Sequence, residues 1–413
     1  MENQPSISFD NTQFAFEYKS DEALKKAHFL FSIMGKPWLV KPALWLTPIA
    51  IRWKLPFVKP LIRKTIFRQF VGGEALEETA SVADKLEEYG VQVILDYGVE
   101  GGDDEEEVFD QSCEQFIKVI RYAATQPNIP FMSVKVTGFA RTGLLEKLDS
   151  MMHAAEGSLM KRFLRSVDEL PAGEKVEWHR VRHRMMRICE AAASGNIGVL
   201  VDAEETWIQD PVDALTILMM DTFNKDKIVV YNTTQHYRHD RLQFLKDSYE
   251  AARERNFILG AKLVRGAYME KERKRALEKG YPSPIQPDKE SCDRDFNEAV
   301  KFCIDHLDRI AVIVASHNEY SNLYTTQLLQ QKGLPLFHPR VHFSQLLGMS
   351  DNITFNLAHA GCSVSKYLPF GPIEDVIPYL MRRAQENTSV SGQTGRELGL
   401  IRKELTRRKS AGK

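Results

Sequence analysis

Two adjacent arginines, Arg382 and Arg383, are the residues of this chain best suited to hold an anion. They lie in FGPIEDVIPYLMRRAQEN (Phe370–Asn387), where Gly371 and Pro372 precede an acidic first turn, Glu374 and Asp375, the pattern of a helix start. Pro378 lies further in and predicts a bend. Neighbouring helical residues point about 100° apart. Two guanidinium forks so placed either clasp different sides of one anion or serve two ligands. Composition alone reads the pair as a solvated helix surface. Lys135, closing a short apolar run, would add a third cation. The segment AKLVRGAYME (Ala261–Glu270) brings Lys262 and Arg265 next to Gly266. A missing Cβ there would let a cofactor or substrate approach the backbone; the plainer reading is a strand running into a loop.

Several common sites are missing from the sequence. No GxGxxG follows a strand, and neither a P-loop nor a GxSxG nucleophile elbow occurs. His179 and His183 are four apart, His236 and His239 three apart, and neither pair has an acid in a metalloprotease arrangement. Both pairs therefore read as surface or helix-face histidines, and no metal is expected. The five cysteines are odd in number and form no CxxC pair, which argues against a disulfide framework or a thiolate zinc site and favours a reducing compartment.

These residues need elements to position them. Short apolar runs recur along the chain, each ending in or running into a polar residue. They are Val91–Asp96, Pro130–Lys135, Ile197–Asp202, Ile228–Tyr231 with Gln235 just beyond, Ile258–Arg265, Ala311–Ser316 before His317, Pro339–Phe343 before Gln345, and Cys362–Tyr367. Continuous rather than alternating apolar character indicates strands covered on both faces. Helical patterns separate nearly all of them: Asp110–Ala124, Asp213–Phe223, Arg241–Asn256, Asp293–Leu307 and Tyr320–Gln331, with Glu74–Gly90 before the first. Eight such alternations predict an α/β fold, a distorted (β/α)8 TIM-type barrel. Its C-terminal rim would carry Asp96, Lys135, Asp202, Gln235, Arg265, His317, Gln345 and Tyr367.

The 413 residues suit one such barrel with additional helices. The second and third strands are too far apart for a single connecting helix, so residues 141–195 form a helical insertion, acting as a cap or an interface. Residues 1–73 form an N-terminal basic helical arm, residues 74–395 the catalytic barrel, and residues 396–413 a basic, frayed tail. Net charge is −1, which gives no overall field for nucleic acid. Within the arm, Ala23–Gly73 contains ten Lys or Arg and no Asp or Glu, interleaved with Trp38, Trp45, Trp53, Phe57, Phe67 and Phe70. Such a stretch suits the surface of an anionic bilayer, or else packs on the domain with a solvated basic face. Its prolines, Pro37, Pro42, Pro48, Pro56 and Pro60, forbid one long helix. No apolar run is long enough to span a membrane, and the N-terminus has no signal or transit pattern.

Seven motifs, in order along the chain, resemble those of the proline dehydrogenase family: FVGGE…VILDYGVEG (Phe70–Gly101), SVKVTG (Ser133–Gly138), VDAEET (Val201–Thr206), KLVRGAY (Lys262–Tyr268), ASHNE (Ala315–Glu319), FSQLLGM (Phe343–Met349) and YLPFGPIEDVIPYLMRRAQEN (Tyr367–Asn387). The resemblance runs from about Phe70 to Ser389 and is nearest to the stand-alone form. It implies a barrel with non-covalent FAD that oxidises L-proline to Δ1-pyrroline-5-carboxylate and passes electrons to a membrane quinone. By that resemblance Arg382, Arg383 and Lys135 hold the proline carboxylate. Tyr367, Tyr379, Leu346 and Tyr268 line the ring pocket, Asp202 supports Tyr367, and Glu100 is a gate partner of Arg382. Gln235, Lys262, Arg265, Gly266, Ala267, His317, Glu386 and Ser389 contact FAD.

Two departures from the bifunctional bacterial members matter. Those carry Arg where Lys262 stands and Lys where Arg265 stands, which bears on the detail of flavin contact. They also carry an aldehyde dehydrogenase domain, for which there is no counterpart, so a monofunctional enzyme is expected. Related hydroxyproline dehydrogenases have a small serine where Tyr367 stands, so the phenol favours proline. The resemblance implies a peripheral location on the cytoplasmic side of a bacterial inner membrane or, alternatively, the matrix side of the mitochondrial one.

Overall fold

The structure, a computed structural model, describes residues 7–53, 55–98, 105–389 and 393–411. Eight parallel strands close into a barrel in sequence order: β1 (Gln92–Tyr97), β2 (Phe131–Val134), β3 (Gly198–Val201), β4 (Val230–Gln235), β5 (Leu259–Val264), β6 (Ile310–Ala315), β7 (Val341–Leu346) and β8 (Val364–Phe370). Helices connect them, as the run of apolar segments predicts. Each strand is short and buried almost throughout, since helices cover the outer face and side chains fill the inner one. The chain divides into two compact units.

One unit comprises Glu100–Ser316 and Tyr324–His342. Here β2 to β6 pair in parallel with neighbours in sequence. The insertion is three helices, Thr142–Ala154, Leu159–Asp168 and Ala172–Gly195. It is an integral layer rather than a loose cap: the first packs on the helix Thr206–Phe223 and the third on the helix Glu106–Ala123. Arg184 of the third is fully buried and donates to Asp110 at 2.7 Å and to the Phe139 carbonyl at 3.3 Å. His179 and His183 are exposed on that helix, as expected. His236 is not a surface residue: it follows β4, is fully buried beside Thr234 (3.0 Å), and burial pushes its imidazole down to about 3. The sequence reading placed no helix over Met269–Lys279, because the segment is charged almost throughout.

The other unit comprises Met1–Val99, His317–Leu323 and Phe343–Lys413. Here β8 pairs with both β1 and β7, with Tyr367 opposite Ile94 and Leu346. β8 runs on to Phe370, so Tyr367 sits mid-strand rather than at the strand end. The basic stretch is not one long helix, as its prolines require: separate helices cover Asp21–Met34, Pro37–Arg52 and Val58–Ile62, although Pro42 and Pro48 fall inside the second. Val40 and Leu44 of that helix pack on a core with Phe31, Ile377 and Leu380, and tertiary contact outweighs the lost donors. The tail is not frayed. A helix, Gln393–Ala411, begins before the expected boundary at residue 396, buries Leu400 and Ile401, and ties several of its cations to the N-terminal segment. Arg408, for example, donates to the Lys19 and Phe16 carbonyls, each at 2.8 Å. Asp351, also buried, gathers Tyr18 (2.7 Å), Lys19 (2.8 Å) and Lys366 (2.8 Å). No described helix is long and apolar enough to cross a membrane.

Candidate active site

In the larger unit, Lys135 follows β2, Asp202 follows β3, and Lys262 lies within β5. Strand register fixes their depth: Val134 pairs with Val201, and Lys262 pairs with Thr233 of β4. All three side chains are largely buried. Asp202 is ion-paired with Lys262, and its second oxygen lies 3.8 Å from Lys135. Burial alone would raise the Asp202 carboxyl, but the charges of Lys262 and Lys135 outweigh it and hold it below its ordinary range. Two ammonium groups thus share the Asp202 carboxylate. Thr233 adds a buried hydroxyl without a hydrogen-bond partner.

Glu204, absent from the expected site, completes this cluster. Its carboxylate accepts from the Thr137 hydroxyl (2.7 Å) and backbone N–H (3.4 Å), so it secures the turn that follows Lys135. Burial pushes its acid up to about 7. The Gln235 amide donates to the Glu204 carbonyl at 2.7 Å, which fixes the end of β4 against the end of β3. The only sequence signal for Glu204 was an acid two residues beyond Asp202.

Arg265, just past β5, donates to Asp293 and Ser316, at 2.7 and 2.8 Å, and lies 4.3 Å over the Phe296 ring. It therefore meets an aromatic face belonging to the protein itself. Gly266 has φ 133, and a Cβ there would stand 2.4 Å from the Tyr237 ring. The Tyr237 ring therefore leaves no room for a side chain at this position. Ala267 is exposed, and Tyr268 is half-buried at the head of the helix Met269–Lys279.

In the smaller unit, Leu346 ends β7 beside Tyr367, and the Leu347 N–H donates to the Tyr367 carbonyl at 2.9 Å. The helix Ile373–Ser389 carries Tyr379, Arg382 and Arg383 and contains Pro378. Arg383 is buried with its guanidinium 5.1 Å from the Tyr379 ring centroid, while Arg382 is half-buried. His317 follows β6, with Nδ1 2.9 Å from the Ser350 hydroxyl. Glu100 and the side chains of Glu386 and Ser389 lie outside the described residues.

A closed ring of eight parallel strands joined by helices, with cations and hydrogen-bonding groups at strand ends, defines a TIM-type (β/α)8 barrel of the enzyme kind. The chain belongs to the proline dehydrogenase family, an oxidoreductase family, whose model "Proline dehydrogenase" matches residues 79–396. "Proline dehydrogenase 1, mitochondrial" of Dictyostelium discoideum is 33% identical, covering 86% of this chain and 67% of the relative. "Carbapenem antibiotics biosynthesis protein CarD" of Pectobacterium carotovorum is 36% identical, covering 83% of this chain and 84% of the relative. "Hydroxyproline dehydrogenase" of Xenopus laevis is 31% identical, covering 98% and 91%. Among solved structures, proline utilization A from Bdellovibrio bacteriovorus matches with a TM-score of 0.72 at 17% identity, over 95% of this chain and 44% of that one. A Bradyrhizobium japonicum counterpart matches with a TM-score of 0.63 at 20% identity, over 84% and 33%. The chain thus spans less than half of those solved proteins, and the likeness to them is one of fold.

Proposed function

We propose that this chain oxidises L-proline to Δ1-pyrroline-5-carboxylate, the first step of proline catabolism, with FAD as cofactor and a membrane quinone as electron acceptor. The observation that carries this reading is the pair of buried ammonium groups, Lys135 and Lys262, gathered on the Asp202 carboxylate. Buried ammonium groups gathered at one place suit an anionic ligand, and in this family the substrate is an imino acid carboxylate.

The donor set fits the cofactor. Lys262 within β5, and Arg265, Gln235 and His317 at or just past strand ends, are cationic or hydrogen-bonding groups, and the Thr233 hydroxyl is buried without a partner. When bound, FAD supplies the hydride acceptor. Gln235, Lys262, Arg265, Gly266, Ala267, His317, Glu386 and Ser389 would hold it. Positive charge from Lys262 and Arg265 favours an anionic reduced flavin.

The protein's own task is placement and charge. Arg382, Arg383 and Lys135 take the carboxylate and so aim the ring C5 hydrogen, with Glu100 as a gate partner of Arg382. The same cations disfavour a protonated substrate amine, which eases loss of its proton before oxidation. Tyr367, Tyr379, Leu346 and Tyr268 enclose the ring, and Asp202 holds the two lysines in register. The hydroxyproline dehydrogenase relative from Xenopus laevis keeps a second substrate in view. The phenol of Tyr367 argues for proline, because it would crowd a hydroxyl on the ring.

The exposed face of the N-terminal arm supports peripheral contact with an anionic membrane. Trp38, Trp45, Trp53 and Phe57 are each at least 70% exposed, in a stretch with ten cations and no acid. Peripheral attachment to a bacterial inner membrane, or to the mitochondrial inner membrane, would bring the enzyme to its quinone.

The absorption spectrum of the purified protein tests the central reading. Flavin bands that bleach on adding L-proline are expected. A colourless protein that takes up no added FAD overturns it.

A further inference from the structure

Ser350 stands at the head of the helix Asp351–His359 with φ 50 and ψ 44, in the left-handed region. A serine there ordinarily takes an extended backbone and turns its hydroxyl onto the free N–H groups of the helix. Ser350 makes no such cap. Left-handed backbone is disfavoured for any residue with a Cβ, so something else must hold it.

Two contacts do. The Ser350 N–H donates to Glu397 Oε1 at 2.6 Å, and the Ser350 hydroxyl lies 2.9 Å from His317 Nδ1. Both Ser350 and Glu397 are buried. Glu397 lies in the first turns of the helix Gln393–Ala411, beside Arg396. Arg396 reaches Glu319 at 2.9 Å and Asp10 at 2.7 Å, and Glu319 also accepts from Asn352 at 2.8 Å. This turn is therefore anchored both to the segment that carries His317 and to the helix that Ser350 opens.

Packing alone does not call for a carboxyl at position 397. Leu400 and Ile401 already dock the helix in the apolar core. Burial and the neighbouring Asp351 charge push the Glu397 acid up to about 7, with Lys19 and Lys366 as the facing cations. An acid that is disfavoured where it sits, bonded to a strained backbone, is expected where orientation matters more than stability.

We propose that Glu397 is a positioning residue for His317: it holds Ser350 in the left-handed conformation, and the Ser350 hydroxyl in turn fixes the imidazole that faces the flavin. The inference rests on the assignment of His317 to FAD made above. It gives the C-terminal helix a role in cofactor retention without any contact with the cofactor. The role belongs to the same class as the partners behind a ligand in other sites, whose loss weakens binding through the ligand they orient.

Holoenzyme is diluted serially and released FAD is read by its fluorescence, alongside melting curves. His317→Ala is expected to weaken FAD retention about tenfold, and Glu397→Ala by a similar factor, with the double variant no worse than either. Ser350→Gly is the decisive variant, because glycine suits φ 50 while removing only the hydroxyl. It should keep or raise the melting temperature and still weaken FAD. Glu397→Gln, which retains an acceptor for the Ser350 N–H, should hold FAD nearly as the parent does. Additive losses in the double variant, or unchanged FAD retention in Ser350→Gly, overturn the role of Glu397 while leaving His317 in place. Unchanged retention in His317→Ala overturns the flavin assignment itself, and this inference with it.

Discussion

The guanidinium of Arg383 lies over the ring of Tyr379, 5.1 Å from its centroid, and the two are one turn apart on the same helix. The aromatic face therefore helps to aim the cation. If Arg383 holds the substrate carboxylate, Tyr379→Phe keeps that face and should change KM little. Tyr379→Ala should raise KM for proline about fivefold, the loss of roughly 1 kcal/mol of cation–π contact. Arg383→Lys should be worse, because an ammonium cannot reproduce the fork. Steady-state kinetics on the three variants decides; equal KM values for Phe and Ala would remove the ring from the account.

Asp202 separates two buried ammonium groups. Asp202→Asn leaves them facing each other across a neutral amide, at an expected loss of about 3–5 kcal/mol. Adding Lys262→Met should recover part of that loss, since one of the uncompensated charges is gone. Denaturant titrations of the single and double variants measure this. A double variant as unstable as the two single losses added together would show that the charges do not interact.

Tyr367 lies mid-strand in β8 and is almost fully buried. Tyr367→Ser should lower kcat/KM for proline and raise that for hydroxyproline, shifting their ratio by about tenfold or more. An unchanged ratio would remove Tyr367 as the specificity residue.

Glu397 gives a pH signature. Its acid is raised from 4.5 to about 7 in the folded chain, first by burial and then by Asp351. Through that window the folded state keeps a proton that the unfolded state has released. Its contribution to stability therefore falls as pH rises. Glu397→Gln removes this titration, so its melting temperature relative to the parent should climb by a few degrees between about pH 5 and about pH 8. A difference that stays constant with pH would contradict the shift.

The arm should bind vesicles of anionic lipid, and a Trp38→Ser, Trp45→Ser, Trp53→Ser variant should bind about tenfold less or weaker still. Co-sedimentation at low and at high salt separates the aromatic contribution from that of the lysines and arginines. Binding by the triple variant equal to the parent's would exclude this face.

The barrel was legible because buried parallel strands are continuous apolar runs, and eight of them recur between helical patterns. The positions of Lys135, Asp202, Arg265 and His317 just past strand ends followed from the same runs. Their partners did not. Asp202 meets Lys262 across 60 residues of sequence, a pairing that the β3–β4–β5 strand order creates. Gly266 was recognisable as a special position, but its cause, the Tyr237 ring, comes from the neighbouring strand connection. The left-handed backbone at Ser350 has no signature in a serine. The C-terminal helix looked like a solvated tail because some partners of its cations, Asp10 for Arg396 and Asp21 for Arg408, lie at the other end of the chain.

That last relationship has a consequence for how the chain is made. Tyr18 and Lys19 leave the ribosome among the first residues, yet their partner Asp351 lies 333 and 332 positions later. The arm must wait, apolar face exposed, until nearly the whole chain has been synthesised, and contacts that close so large a loop form late and slowly. Until then the Trp-rich basic arm has no barrel to fold onto, and its apolar residues stay uncovered.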